Sequence, residues 1–218
     1  GGGPAVAVSP EPDEWFVGAD SLTWAPPQGP SSGHVGYVWE SWNPKIVHLH
    51  VADTVTPAAP IVVSASVDAD REVAKSWRNV GWDVQGRVYF RTTQADPDVV
   101  ELRRGTLAGG SEVVHGTAMT GSDGGGASGP ASVHAFALSP DGSELAFAAD
   151  APTFSVGQIH VVDVDSATPE QVSDVQSIGF GGYRGPNALD YVASGDHILA
   201  RSDWDPDGAL ASGDELSF

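Results

Sequence analysis

The stretch "FALSPDGSELAFAADAPTFSVGQIHVVDVD", residues 136–165, decides the fold. Ser139-Pro140-Asp141-Gly142 puts each residue where a tight turn wants it. Ser suits the first position, Pro fixes φ at the second, and Gly accepts the positive φ that such a turn can demand. Val133, Phe136 and Leu138 lie before the turn. After it, Leu145 and Phe147 alternate with Glu144 and Ala146, which is strand spacing. Residues 159–164 read as a third strand, apolar on both faces and therefore covered on both. Gln171-Val172-Ser173 reads as a short fourth strand.

The layout recurs along the chain. Upstream, "VGWDVQGRVYFRTT" (80–93) repeats the hairpin around Asp83-Val84-Gln85-Gly86, followed by strands at 99–107 and 111–116. Further upstream, "SLTWAPPQG" (21–29), "HVGYVWES" (34–41), "KIVHLHVAD" (45–53) and "PIVVSAS" (60–66) form another copy. Downstream, "ALDYVASGDHILARSDW" (188–204) begins one more. The turn glycines Gly29, Gly86, Gly142 and Gly195 recur with a period of roughly 55 residues, and four-stranded repeats of roughly 40–50 residues, lengthened by loops, are the signature of propeller blades. The expected fold is all-β: a β-propeller of four-stranded antiparallel blades at 21–66, 77–117, 131–174 and 187–218. A short helical turn at 68–77 does not change that class.

The pattern "LSPDGSELAFAAD…GQIHVVDVD…PEQVS" resembles the WD40-like repeat of TolB-type β-propellers. In that family a Ser-Pro-Asp-Gly turn joins the first two strands of a blade. A third strand rich in Ile, Val and Asp follows, then a short fourth strand. The resemblance is close over 133–174, degenerate over 80–116 and weak over 21–66 and 188–218. It implies periplasmic or extracellular placement and protein–protein contact.

Composition agrees with many short strands and turns. The 218 residues include 27 Gly and 16 Pro, and no apolar run approaches the length of a membrane span. Asp and Glu number 29 against 10 Lys and Arg, a net charge of −19. Such a surface repels phosphate backbones, so nucleic acid is not an expected partner, whereas cations and basic partners are. The acidity equally suits a high-salt habitat or a secreted protein. The chain has no cysteine, hence no disulfide framework and no thiolate metal site. Its opening, "GGGPAVAVSPEPDEW", resembles the flexible start of a mature chain, such as one cut from a lipid-anchored precursor.

Gly124, Gly126 and Gly129 have the spacing of a dinucleotide fingerprint. Pro130 and a strand follow them instead of the helix the fingerprint needs, so they read as a loop. No zinc-protease helix and no phosphate loop occurs. Ser111 and His115 lack the orienting carboxylate of a nucleophile pair. His48 and His50 share one strand face, a spacing that can chelate a metal. With no third ligand nearby in sequence, they read as lining a blade face near an edge or the central channel.

One motif stands above this background: "DWDPDGALASGDE", 203–215. Asp203, Asp205 and Asp207 occupy positions 1, 3 and 5 of an EF-hand-type calcium loop. Gly208 takes the sharp turn, Leu210 the apolar position and Asp214 position 12, while the Ala209 carbonyl supplies position 7. The strand-like flanks argue against a paired EF-hand, so the expectation is a Ca2+ loop between strands. The competing reading is a solvated acidic loop.

The N-terminal "PAVAVSP" (4–10) is expected to complete the last blade if the ring closes with four blades; otherwise the chain is a fragment of a larger ring. Two function classes follow. One is a non-enzymatic binding platform of the cell envelope or extracellular space, recognising a protein or envelope ligand. The other is the propeller domain of an enzyme, a prolyl-oligopeptidase-type peptidase or a propeller lyase, whose catalytic part lies elsewhere.

Overall fold

The computed structural model describes residues 16–42, 45–56, 58–64, 80–93, 100–115, 132–150, 157–165, 170–171, 186–192, 194–195, 197–202 and 215–217. These residues form strands, turns and connecting segments, with no helix among them. The all-β expectation of four-stranded antiparallel sheets holds.

Each sheet is built from strands consecutive in sequence. The first contains β1 (Phe16–Trp24), β2 (His34–Trp42), β3 (Lys45–Asp53) and β4 (Ile61–Val62), in that order. The second contains β5 (Val80–Trp82), β6 (Val88–Thr92), β7 (Glu101–Gly105) and β8 (Ser111–His115). The third contains β9 (Val133–Leu138), β10 (Glu144–Asp150), β11 (Gly157–Asp163) and β12 (Glu170–Gln171). In the fourth, β13 (Pro186–Tyr191), β14 (Ile198–Ser202) and β15 (Glu215–Ser217) are described. The expected closing strand at 4–10 and the helical turn at 68–77 lie outside the described residues.

The four turn glycines aligned by sequence all adopt positive φ: +101° at Gly29, +81° at Gly86, +69° at Gly142 and +83° at Gly195. At the last three, the glycine N–H donates to the carbonyl three residues back, on Asp83, Ser139 and Val192, at 3.2, 2.8 and 2.8 Å. Each hairpin closes just outside this turn, as where Ser139 N–H donates to the Glu144 carbonyl at 2.9 Å. The first hairpin is wider and closes from Ala25 N–H to the His34 carbonyl. Pro26, Pro27 and Pro30 within it offer no N–H for a tighter turn.

β1 begins at Phe16, earlier than its alternation suggests. Register shifts at Phe16/Gly18 and Asp20/Thr23 break the period of two and hide the strand's first half.

The chain forms two compact units. One holds Gly1–Pro97 and Arg103–Val113, the other Asp98–Leu102 and Val114–Phe218. The first unit's core gathers Val38, Leu49, Val51, Val63, Trp82 and Phe90. In the second, β9 and β10 bury both faces. Leu145 and Phe147 are fully buried on one face, with Phe136 at 5 % exposure beside them. On the other, Ala135, Ala146 and Ala148 meet Leu189, Tyr191 and Ile198 of the fourth sheet. Val162 is buried, but Ile159 and Val161, expected to be covered, are only partly so, as is Leu138.

Candidate functional site

The first unit carries an apolar hollow on its hairpin turns. Pro26, Pro27, Gln28 and Gly29 line it from the β1–β2 turn, and Val84 from the β5–β6 turn, around about 400 Å³. Gly29 is required there, because a Cβ would lie 2.9 Å from the Val84 carbonyl oxygen. Just before the hollow, Leu22 and Trp24 are 56 % and 63 % exposed. They lie near the end of β1, which is an edge of its sheet. Val84 is itself 46 % exposed.

The β5–β6 turn is held from within. Asp83, fully buried, accepts on Oδ1 from the Gln85 and Arg87 backbone N–H groups, both at 2.9 Å. Its Oδ2 accepts from Arg87 Nε at 2.5 Å and Tyr89 OH at 3.2 Å. Arg104 pairs with Glu112 on the neighbouring strands. The Asp83 bonds hold the turn that presents Val84.

A second hollow of about 440 Å³ is polar, lined by Ser139, Pro140, Asp141, Ser143, Glu144, Ser194 and Gly195. Of its two carboxylates, Asp141 is committed to the turn. Asp141 Oδ1 accepts from Ser139 Oγ, Ser143 Oγ and Ser143 N–H at 2.7, 2.8 and 3.1 Å. These bonds, the Ser139 hydroxyl first, pull Asp141 down to about 2. The Ser-Pro-Asp-Gly motif is thus explained by its own turn.

Histidine occupies one register position in two sheets. His50 faces Tyr37 across β3 and β2, and His160 faces Phe147 across β11 and β10. Three residues on, Asp53 pairs with His34 and Asp163 with Glu144, at the mouth of the hairpin. Asp53 Oδ1 accepts from the Val55 N–H at 2.7 Å, and Asp163 Oδ1 from the Asp165 N–H at 2.8 Å. "HVAD" (50–53) and "HVVD" (160–163) are the sequence signal of this repeat, which turn chemistry alone does not reveal.

The rings are apolar in their surroundings. His50 lies 5.5 Å from Tyr37, 5.7 Å from Trp39 and 5.9 Å from His48, centroid to centroid. Burial, then the neighbouring His48, pulls His50 down to about 4, and burial alone lowers His48 and raises Tyr37 to about 12. In the second unit His115 lies 4.8 Å from Phe147 and 5.9 Å from His160. Burial, then His160, pulls His115 down to about 4.

Asp203, Asp205, Asp207, Ala209 and Asp214 lie outside the described residues, between β14 and β15. The glycines at 124, 126 and 129 also lie outside them. Among the described residues, no group of three or more His, Cys, Asp or Glu is placed to hold a metal ion. No helix among them is long and apolar enough to cross a membrane. Ser111 and His115 stand at the two ends of β8, roughly 13 Å apart at strand rise, so they form no nucleophile pair.

Neither a protein-family model nor a curated protein matches the sequence. Solved structures do. TolB from Acinetobacter baumannii is 16 % identical with a TM-score of 0.51, the match covering 90 % of this chain and 40 % of that one. A Mycobacterium tuberculosis puromycin-hydrolyzing peptidase is 14 % identical with a TM-score of 0.51, over 84 % of this chain and 25 % of that one. An oligogalacturonate lyase in complex with manganese is 13 % identical with a TM-score of 0.50, over 90 % and 50 %. The chain therefore spans half or less of the length of each. At such identities the likeness speaks for architecture alone, and together with the four consecutive antiparallel sheets it identifies the fold as a β-propeller.

Proposed function

We propose that the chain is part of a non-enzymatic β-propeller platform that binds a protein or envelope ligand in the periplasm or outside the cell. The observation that carries this reading is Trp24, 63 % exposed and two residues before Pro26, which lines the hollow with Pro27 and Val84. An exposed aromatic next to a rigid apolar hollow is the usual form of an interface anchor. The charge of −19 favours a ligand segment with Lys or Arg next to its apolar residue, and the Trp24 ring can take such a cation on its face. The resemblance to TolB-type repeats supports the location. Random peptides displayed on phage and panned against the chain test the reading. Enriched peptides should carry a basic residue beside an aromatic or Leu, and Trp24→Ala should weaken their binding at least tenfold without lowering Tm. Enrichment indifferent to both Trp24→Ala and Val84→Asp would rule the hollow out.

The likeness to a peptidase and a lyase supports a second reading, the propeller part of an enzyme. A catalytic domain encoded in the same gene would decide for it.

The reading includes a Ca2+ loop at 203–214, ligated by Asp203, Asp205, Asp207, the Ala209 carbonyl and Asp214. Four carboxylates within a dozen residues repel one another unless a cation joins them, and calcium takes the oxygens a flexible loop can offer. Calcium is expected to raise Tm and EDTA to lower it, with Asp205→Ala abolishing the difference. Titration calorimetry without calcium uptake at millimolar concentration would leave a solvated acidic loop.

A further inference from the structure

We propose that His48 and His50 form a binding site for a late first-row divalent metal ion, with Zn2+ as the probe. The two side chains are neighbours on one face of β3, at i and i+2. Both are buried, at 9 % and 6 % exposure. His48 Nδ1 and both ring nitrogens of His50 are buried without a hydrogen-bond partner among the described residues. A buried imidazole normally gives its N–H to an acceptor and takes a donor on the other nitrogen. Three such atoms together, on adjacent rings, mark a place where a partner is due.

The spacing fits a shared metal. The ring centroids are 5.9 Å apart with planes at 65°. Two imidazoles that each hold one zinc at about 2.0–2.1 Å have centroids about 5–6 Å apart. The donor set fits as well, because neutral imidazole suits zinc, copper and nickel, and hard cations prefer oxygen. Tyr37 and Trp39 wall the pair with their rings and set its orientation. Two protein ligands leave the remaining positions to water or to a donor brought by a bound molecule. This site is independent of the carboxylate loop at 203–214, which would take a hard cation.

The test is a Zn2+ titration of the chelator-stripped full chain in excess Ca2+, which keeps carboxylate sites filled. His50→Phe retains the aromatic volume, and His48→Gln removes the other ring. Each is expected to weaken Zn2+ binding at least tenfold, whereas His115→Phe leaves it unchanged. Unaltered binding in both His50→Phe and His48→Gln overturns the proposal. X-ray absorption at the zinc edge of the wild-type chain is a second arm that needs no variant. Outer-shell scattering from imidazole supports the site, and a shell of oxygens alone overturns it.

Discussion

Phe147 lies where three strands and a fourth element meet. It faces Phe136 on β9 and His160 on β11, stacks on the His160 ring at 5.2 Å and receives His115 from β8 at 4.8 Å. Fully buried among these rings, it leaves a large void when truncated. Phe147→Ala is expected to cost about 3–5 kcal/mol, measured by urea unfolding, and a loss under about 1 kcal/mol would mean the ring is not central. Gly142 makes the complementary case for backbone. At φ +69° a Cβ crowds the neighbouring carbonyl, so Gly142→Ala should lose about 1–2 kcal/mol with no contact removed. A chevron showing no change in stability for that variant would refute the account.

Between β8, β10 and β11, two histidines sit against one phenylalanine, and this makes the packing pH-sensitive. His115 has its pKa pulled from 6.5 to about 4, by burial first and by His160 second, and burial lowers His160 too. The unfolded chain takes up these protons as pH falls below about 6.5, while the fold resists until about 4. Stability is therefore fully present above pH 6.5 and lost progressively down to about 4. At 1.36 kcal/mol per pKa unit, the ceiling for His115 is about 3 kcal/mol. Denaturation midpoints taken at pH 7, 5.5 and 4 should show the slope, and His115→Phe should reduce it; an equal slope in that variant would disprove the assignment. None of this was legible from His115 alone, which reads as one scattered histidine. The hairpins were legible, because Ser139-Pro140-Asp141-Gly142 and Asp83-Val84-Gln85-Gly86 carry their turn geometry in local chemistry. β1 was only half legible, because its register shifts erase the alternation. The Trp24 hollow was invisible for another reason: Pro26 and Val84 are far apart in sequence, and only the meeting of two turns makes them one surface.

Charge belongs to the chain as a whole, and its sign and size were readable at once. With 29 acidic residues against 10 basic ones, the folded state concentrates a net −19 in a small volume. The described ion pairs Arg87–Asp83 and Arg104–Glu112 engage two of those basic side chains. Unfolding spreads the excess charge apart, so self-repulsion works against the compact state. Salt should relieve it. Between about 0.01 M and about 1 M the screening length falls from about 30 Å to about 3 Å, shorter than most separations between surface charges. The EDTA-treated chain in NaCl is expected to gain at least about 2–4 °C in Tm, the shift that about 1 kcal/mol produces in a chain of this size. The shape of the curve separates causes. Screening raises Tm steeply at low salt and then saturates, whereas a general salting-out effect grows in proportion to concentration. A Tm that is flat or falling across the low-salt range would show that the acidic surface is already neutralised, by bound cations or by its own pairing, and that repulsion does not limit this fold.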